Sequence, residues 1–343
     1  MSISILASLQ KTSWLADALH AATQSAVDPV VSPTTAPVGS SGLLDALLLL
    51  WMIAAAITIF RMVFVRPSSV VGPRRIEDRQ QIGLLIISFA LGLMTWLIAQ
   101  AAYESYMLAA LKHAGVTDAV QRFQEYLKPR DLAVLGTVPF MIGFAVMLMT
   151  LALSPARLID RLGLRLRSMG RGVVVGFVAF LVIVPCVMWA SAGLETFYNH
   201  LGYAHPAEHV MLKDLGQTKQ NSVAVCLIIA AVLCAPLFEE LLFRGHVQTL
   251  LRRFFMQCTA WRSPMAAESL QPKPWHSWAA IVITSALFAL VHPPWMSPLI
   301  FILAIGLGYI YERTGILWAS ITVHLLFNSV ETFQYYWFFM RGH

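Results

Sequence analysis

Cys234-Ala-Pro-Leu-Phe-Glu-Glu-Leu-Leu-Phe-Arg-Gly245 sets two carboxylates and a guanidinium in a stretch that is otherwise apolar or small. The apolar run that holds it, 222–243, is long enough as a helix to cross roughly 30 Å of hydrocarbon. An ionisable group inside such a span is expensive and is kept where it has work to do. Arg244 follows Glu240 by four residues, so a helix turns both to one face as an ion pair. Glu239 is rotated by about 100° from that face and is left without the arginine. An anchoring ion pair, with Arg244 snorkelling to the surface, accounts for Glu240 and Arg244. It does not account for Glu239.

The rest of the chain agrees with a membrane setting. Of 343 residues, 58% are hydrophobic and 12% are charged. An ordinary globular domain carries roughly twice that charged fraction, and a soluble chain of this length could not hide so much apolar surface. Four more long apolar runs precede the quoted one, at 43–65, 82–102, 132–154 and 173–195, and three tighter segments follow, at 279–292, 298–311 and 316–340. The expected fold is all-α, a polytopic transmembrane bundle of about eight spans with a polar intramembrane cavity. Three parts are expected: a tail and linker over 1–42, four accessory spans over 43–221, and a catalytic membrane core over 222–343. Residues 5–22 read either as an amphipathic surface helix or as a weakly ordered tail, and 27–42, rich in Pro, Ser, Thr and Gly, read as a linker. Cys186, Cys226, Cys234 and Cys258 form no CxxC pair, which argues against a disulfide framework or a thiolate zinc site.

The net charge of +6 does not point to nucleic acid, because the basic residues sit in short clusters between apolar runs. Arg61, Arg66, Arg74, Arg75 and Arg79 form one cluster. Arg157, Arg161, Arg165, Arg167 and Arg171 form another, and Arg252, Arg253, Arg262 and Lys273 a third. These alternate connections are expected in the cytoplasm, with the tail (Lys11) and the Lys213–Lys219 connection outside. The second connection, with Lys112, Arg122, Lys128 and Arg130, is the exception to the charge rule, and the alternation of its neighbours places it outside. The pattern suits a multi-pass protein of a bacterial inner membrane.

Two later segments also carry polar residues. Phe288-Ala-Leu-Val-His292 precedes Pro293 and Pro294, and His324-Leu-Leu-Phe-Asn328 puts an imidazole and an amide on one helix face. Each histidine alone is as well explained as a hydrogen-bonded packing residue. Depth groups them. Counted at about 1.5 Å per residue, Glu239 lies roughly 20 Å from Arg252, His292 roughly 22 Å from Ser277 and Asn328 roughly 20 Å from Gly315, with His324 a turn shallower. A 14-residue segment such as 279–292 spans only about 21 Å as a helix, so the turn at 293–297 is expected below the outer surface, against protein or water. One carboxylate, two imidazoles and an amide in one layer are the parts of a hydrolytic site.

The ordered set Glu239-Glu240-Leu241-Leu242-Phe243-Arg244, then Phe288 to His292, then His324 to Asn328, resembles the CPBP family of intramembrane proteases. These are also called type II CAAX prenyl endopeptidases or Abi-family proteins. The resemblance covers roughly 222–340 and no motif position departs from it. It implies that Glu239 and His292 activate a water for peptide hydrolysis, that His324 and Asn328 stabilise the oxyanion, and that Glu240, Arg244 and Phe288 support them. It implies as partners the lipid bilayer and a membrane-bound or lipidated protein substrate.

The chemistry is compatible with these roles. Water needs a base near neutral pH, and Asn and His can donate to a developing oxyanion. Zn2+ is the one cofactor to consider. Glu239, His292 and His324 could hold it and leave a fourth place for water, but the chain has no HExxH. His324 also has no acid near it in sequence to act as a supporting carboxylate; Glu331 is seven residues on, about two turns away. The oxyanion reading is therefore preferred, with no cofactor certain and Zn2+ left as the alternative. Two other functions remain open. A non-catalytic scaffold or immunity protein could use the same fold, and an ion- or proton-coupled transporter could use intramembrane Glu and His. The transporter predicts polar residues strung along many helices, and the first four spans carry few.

Overall fold

The computed structural model describes residues 79–341 except 119, 121–122, 155–156, 205–214, 216–217, 219 and 263–272, together with scattered helical positions between 47 and 58. The expectations for residues 1–42 and for the basic residues Arg61, Arg66, Arg74, Arg75, Arg122, Lys213 and Lys219 lie outside these. All regular structure among the described residues is helical: α1 (Arg79–His113), α2 (Phe123–Tyr126), α3 (Pro129–Ala152), α4 (Leu158–Arg161), α5 (Leu166–Leu201), α6 (Asn221–Ile229), α7 (Ala235–Glu240), α8 (Thr249–Arg262), α9 (Pro274–Leu290), α10 (Ser297–Thr314) and α11 (Leu317–Arg341). Two π-helical segments, Ala230–Cys234 and Leu241–Gln248, join α6 to α7 and α7 to α8. The chain from 221 to 261 is thus one long rod, and among the described residues four stretches are long and apolar enough to cross a bilayer: Gln80–His113, Pro129–Ala152, Leu158–Leu201 and Asn221–Trp261. Pro274–Leu290 is apolar but shorter. The molecule is a helical membrane bundle of about eight helices, four of them long and apolar and the others shorter, with Ile87, Leu91, Met94 and Ile98 on α1 and Val174, Phe177 and Val178 on α5 exposed as a lipid-facing surface would be.

Helix α1 packs along α3, α11 along α5, and α9 along α10. The α5–α11 contact is close because α5 presents Gly172 and Gly176 there. A Cβ at Gly172 would stand 2.5 Å from Trp318 Cβ, and one at Gly176 2.6 Å from the Ala319 carbonyl oxygen. Small residues four apart let two backbones approach in this way. The main core runs from Leu85, Met147 and Leu151 through Phe238 and Leu241 to Phe288, Tyr311 and Ile321, so the early spans and the later helices share one interior. A polar seam crosses it: Thr150 donates to Ser88 Oγ (2.8 Å), and the buried His246 ring bridges Ser88 Oγ (Nε2, 3.1 Å) and the Leu241 carbonyl (Nδ1, 2.8 Å).

One charged residue is not where the charge pattern puts it. Arg252 is 4% exposed, and its Nη1 donates to Glu312 Oε1 at 2.8 Å, with Glu312 fully buried. Glu312 also accepts from Ser277 Oγ (3.1 Å) and Gln248 Nε2 (3.3 Å). Arg252 is thus an interior cation that ties α8 to α9 and α10.

Candidate active site

Glu239 and Glu240 end α7, between the two π-helical segments. A π-turn inserts a residue into a helix and shifts the phase of every side chain beyond it, which is why such turns gather at working sites. Glu240 is fully buried. Its Oε1 accepts from Arg244 Nη1 at 2.8 Å and from His324 Nδ1 at 2.9 Å. Arg244, also fully buried, donates its Nη2 to the Ala304 carbonyl at 3.2 Å. It does not snorkel. Its guanidinium lies 4.5 Å from the centre of the Phe288 ring. The i,i+4 pair therefore forms as its spacing predicts and is extended at both ends, to α10 through Ala304 and to α11 through His324.

Phe288 sits among all of these groups. Its ring centre is 4.7 Å from that of His292 and 5.8 Å from that of His324, and it meets Phe243 edge-on at 5.0 Å. His292 itself is past the end of α9, in the turn at 291–296, and is not on a helix as the run 279–292 suggests. Pro293 is the cause, since the residue before a proline is pushed out of helical geometry. The freed carbonyls find other donors. Ser297 Oγ donates to Ala289 O at 3.0 Å, and His292 Nδ1 bonds Phe288 O at 2.7 Å. A carbonyl only accepts, so Nδ1 carries the proton and the neutral ring presents a lone pair at Nε2.

The same logic applies to His324. Its Nδ1 faces a carboxylate oxygen already paired with Arg244, so Nδ1 donates and Nε2 points elsewhere. It stands 3.8 Å from Glu239 Oε2. Glu239 makes no bond to Arg244, and its side chain is 17% exposed against 0% for Glu240. The two adjacent carboxylates thus differ sharply: one is sealed and doubly bonded, the other partly open and facing an imidazole. Phe238, just before Glu239, is held by the early spans. It stacks on Trp96 (5.7 Å) and meets Phe140 edge-on (5.3 Å), and a Cβ at Gly143 would come within 2.7 Å of its ring.

Asn328 is half-buried and donates its Nδ2 to the Ala231 carbonyl at 2.8 Å. The first π-helical segment makes this bond necessary. There the Ala235 N–H reaches back five residues to Ala230 O; the next donor in that register, for Ala231 O, would be Pro236, which has no N–H. Asn328 supplies the missing hydrogen and keeps a second N–H for another acceptor.

The expectation that His324 lacks a supporting carboxylate is overturned: Glu240, 84 residues away in sequence, fills that place at 2.9 Å. Carboxylates of this kind orient metal-binding histidines as well as catalytic ones. Yet among the described residues no three His, Cys, Asp or Glu side chains are grouped so as to share a metal ion. Glu239, His292 and His324 thus do not fit a three-ligand zinc site in this arrangement, and no step below passes through a metal. The four cysteines are all free. Sequence reasoning missed the Ala304 and Ala231 carbonyls, which are backbone groups without a signature, and the Trp96–Phe140–Gly143 cradle. Only Pro236, which orphans a carbonyl, hinted at the second of these.

Residues 221–330 match the family model described as type II CAAX prenyl endopeptidase, Rce1-like. The chain thus carries an Rce1-like domain of a CAAX-type protease family there, in keeping with the CPBP resemblance, and every candidate residue from Glu239 to Asn328 lies within it. No curated protein and no solved structure matches the chain.

Proposed function

We propose that this chain, through its Rce1-like domain at residues 221–330, is an intramembrane endopeptidase that hydrolyses a peptide bond of a membrane-associated or lipidated protein in a bacterial inner membrane. Residues 222–343 are its catalytic core, and the spans before them hold that core in place. The observation that carries this reading is the split between the two glutamates. Glu240 is committed to Arg244 and His324, while Glu239 stands partly open at 3.8 Å from His324 Nε2. A carboxylate free of its neighbouring arginine is suited to take a proton from water.

In this reading Glu239 takes one proton from a water as its oxygen attacks the scissile carbonyl, while the Nε2 lone pair of His292 accepts a hydrogen bond from the water's other hydrogen. The tetrahedral oxygen is stabilised by the second N–H of Asn328 and, in the imidazolium form, by the N–H at His324 Nε2. Glu240 fixes the His324 ring so that Nε2 faces the reacting atoms, Arg244 holds Glu240, and the Phe288 ring packs against both imidazoles and the guanidinium. Proton return to the leaving amine completes hydrolysis. The test is a comparison of membrane proteomes from cells carrying the wild-type chain and Glu239→Gln. An uncleaved membrane protein accumulating with the variant, and cut by purified wild-type protein in liposomes, is the expected result. Identical proteomes and no cleavage in vitro would overturn the reading.

A further inference from the structure

Glu331 is half-buried on α11, seven residues after His324 and three after Asn328. Spacings of four, then three, keep all three side chains on one helix face. Glu331 also lies one residue beyond the stretch that matches the family model. The other interior carboxylates of the later helices have protein partners: Glu240 has Arg244 and His324, and Glu312 has Arg252, Ser277 and Gln248. Glu331 has no hydrogen bond or ion pair from a described residue, and its side chain is half-buried. A carboxylate in an apolar bundle costs stability unless a cation or donors meet it. Glu331 also differs from Glu239, which stands beside the reacting atoms. It is displaced along the helix by about 10 Å from His324, a distance an extended peptide covers in about three residues.

We propose that Glu331 is a specificity-determining residue, the receptor for a basic side chain of the substrate. The substrate class is then a peptide segment carrying Lys or Arg about two or three residues from the scissile bond. The cation of the bound substrate completes the ion pair that the chain itself leaves open. A neutral residue at that position leaves the half-buried Glu331 without a counter-charge, so the site discriminates by penalty as well as by attraction. This rests on the peptidase reading above.

The test uses the full chain in liposomes with membrane-anchored peptides, in which the positions on either side of the cleaved bond are randomised and cut sites are read by mass spectrometry. Wild-type protein should favour Lys or Arg over neutral residues at one such position by about tenfold or more. Glu331→Gln should bring the ratio of kcat/KM for basic and neutral peptides close to one, Glu331→Asp should keep the preference, and Glu331→Arg should turn it toward Asp or Glu. Because each variant is judged by a ratio within one preparation, loss of folded protein does not mimic the result. Wild-type cleavage with no basic preference, or a preference unchanged in Glu331→Gln, overturns the role of Glu331 and leaves the peptidase reading standing. No cleavage of any peptide by wild-type protein overturns both.

Discussion

Adjacent glutamates in one helical turn have opposite fates because of what each meets. Glu240 meets Arg244 and His324 with no exposure; Glu239 meets His324 Nε2 at 3.8 Å and some solvent. Glu239→Gln keeps shape and removes the base, so hydrolysis should vanish while thermal unfolding in detergent barely moves. Glu240→Gln leaves a buried guanidinium without its counter-charge, and removal of one member of a buried pair costs about 3–5 kcal/mol. Its unfolding midpoint should fall markedly. Full activity in Glu239→Gln, or equal stability losses in the two variants, would contradict the division. For His324, the oxyanion role predicts that His324→Ala lowers turnover by roughly 100- to 1000-fold, with activity unaffected by a strong chelator. One zinc per chain by elemental analysis, with activity lost on chelation and restored by zinc, would reverse this. The Glu240–Arg244 pair was legible because i,i+4 is a local rule. The Glu240–His324 bond was not, since nothing local in a chain says which imidazole lies 84 positions away.

The helices around the site depart from regularity where the chemistry sits. Hydrophobic runs reveal that a helix exists, but not that it contains a π-turn, since the two forms differ by less than one residue per turn. The structure explains the first π-helical segment by its consequence: Pro236 orphans Ala231 O, and Asn328 caps it at 2.8 Å. Asn328→Ala should therefore destabilise the protein as well as slow it, by about 1–3 kcal/mol for an unmet acceptor. Pro236→Ala restores an N–H in register with Ala231 O. In that background Asn328→Ala should cost measurably less stability, while its effect on turnover persists. A double-mutant cycle by chemical denaturation measures the coupling, and strictly additive losses would show that the two residues do not share the carbonyl. The turn bearing His292 was half legible: two prolines announced a break, but the segment ends at Leu290, two residues earlier than its apolar pattern suggests.

Across the whole molecule, apolar runs located the helices well and their ends poorly. Helix α1 continues to His113 past Gln100 and Glu104, and α5 begins at Leu166, because hydropathy fades where a helix leaves hydrocarbon and the backbone hydrogen bonds do not. Charge was read correctly as a membrane signature but too simply as a surface marker: Arg252 is buried against Glu312, and a sequence cannot separate an interior arginine from a loop one. Orientation therefore rests on the remaining clusters. Arg157, Arg161, Arg165, Arg167 and Arg171 flank the start of α5, which the positive-inside rule puts in the cytoplasm. The far end of α5, near Tyr203, then faces out, and the rod from Asn221 to Trp261 returns to the cytoplasm. Both tips are exposed, Tyr203 by 40% and Trp261 by 78%, so single cysteines there report the side directly. A membrane-impermeant maleimide added to intact cells should label Tyr203→Cys and spare Trp261→Cys until the membrane is permeabilised. The native thiols Cys186, Cys226, Cys234 and Cys258 should be replaced by Ala or Ser first, because Cys226 is itself exposed. Labelling of Trp261→Cys in intact cells with protection of Tyr203→Cys would invert the bundle, and with it the side from which a substrate reaches Glu239.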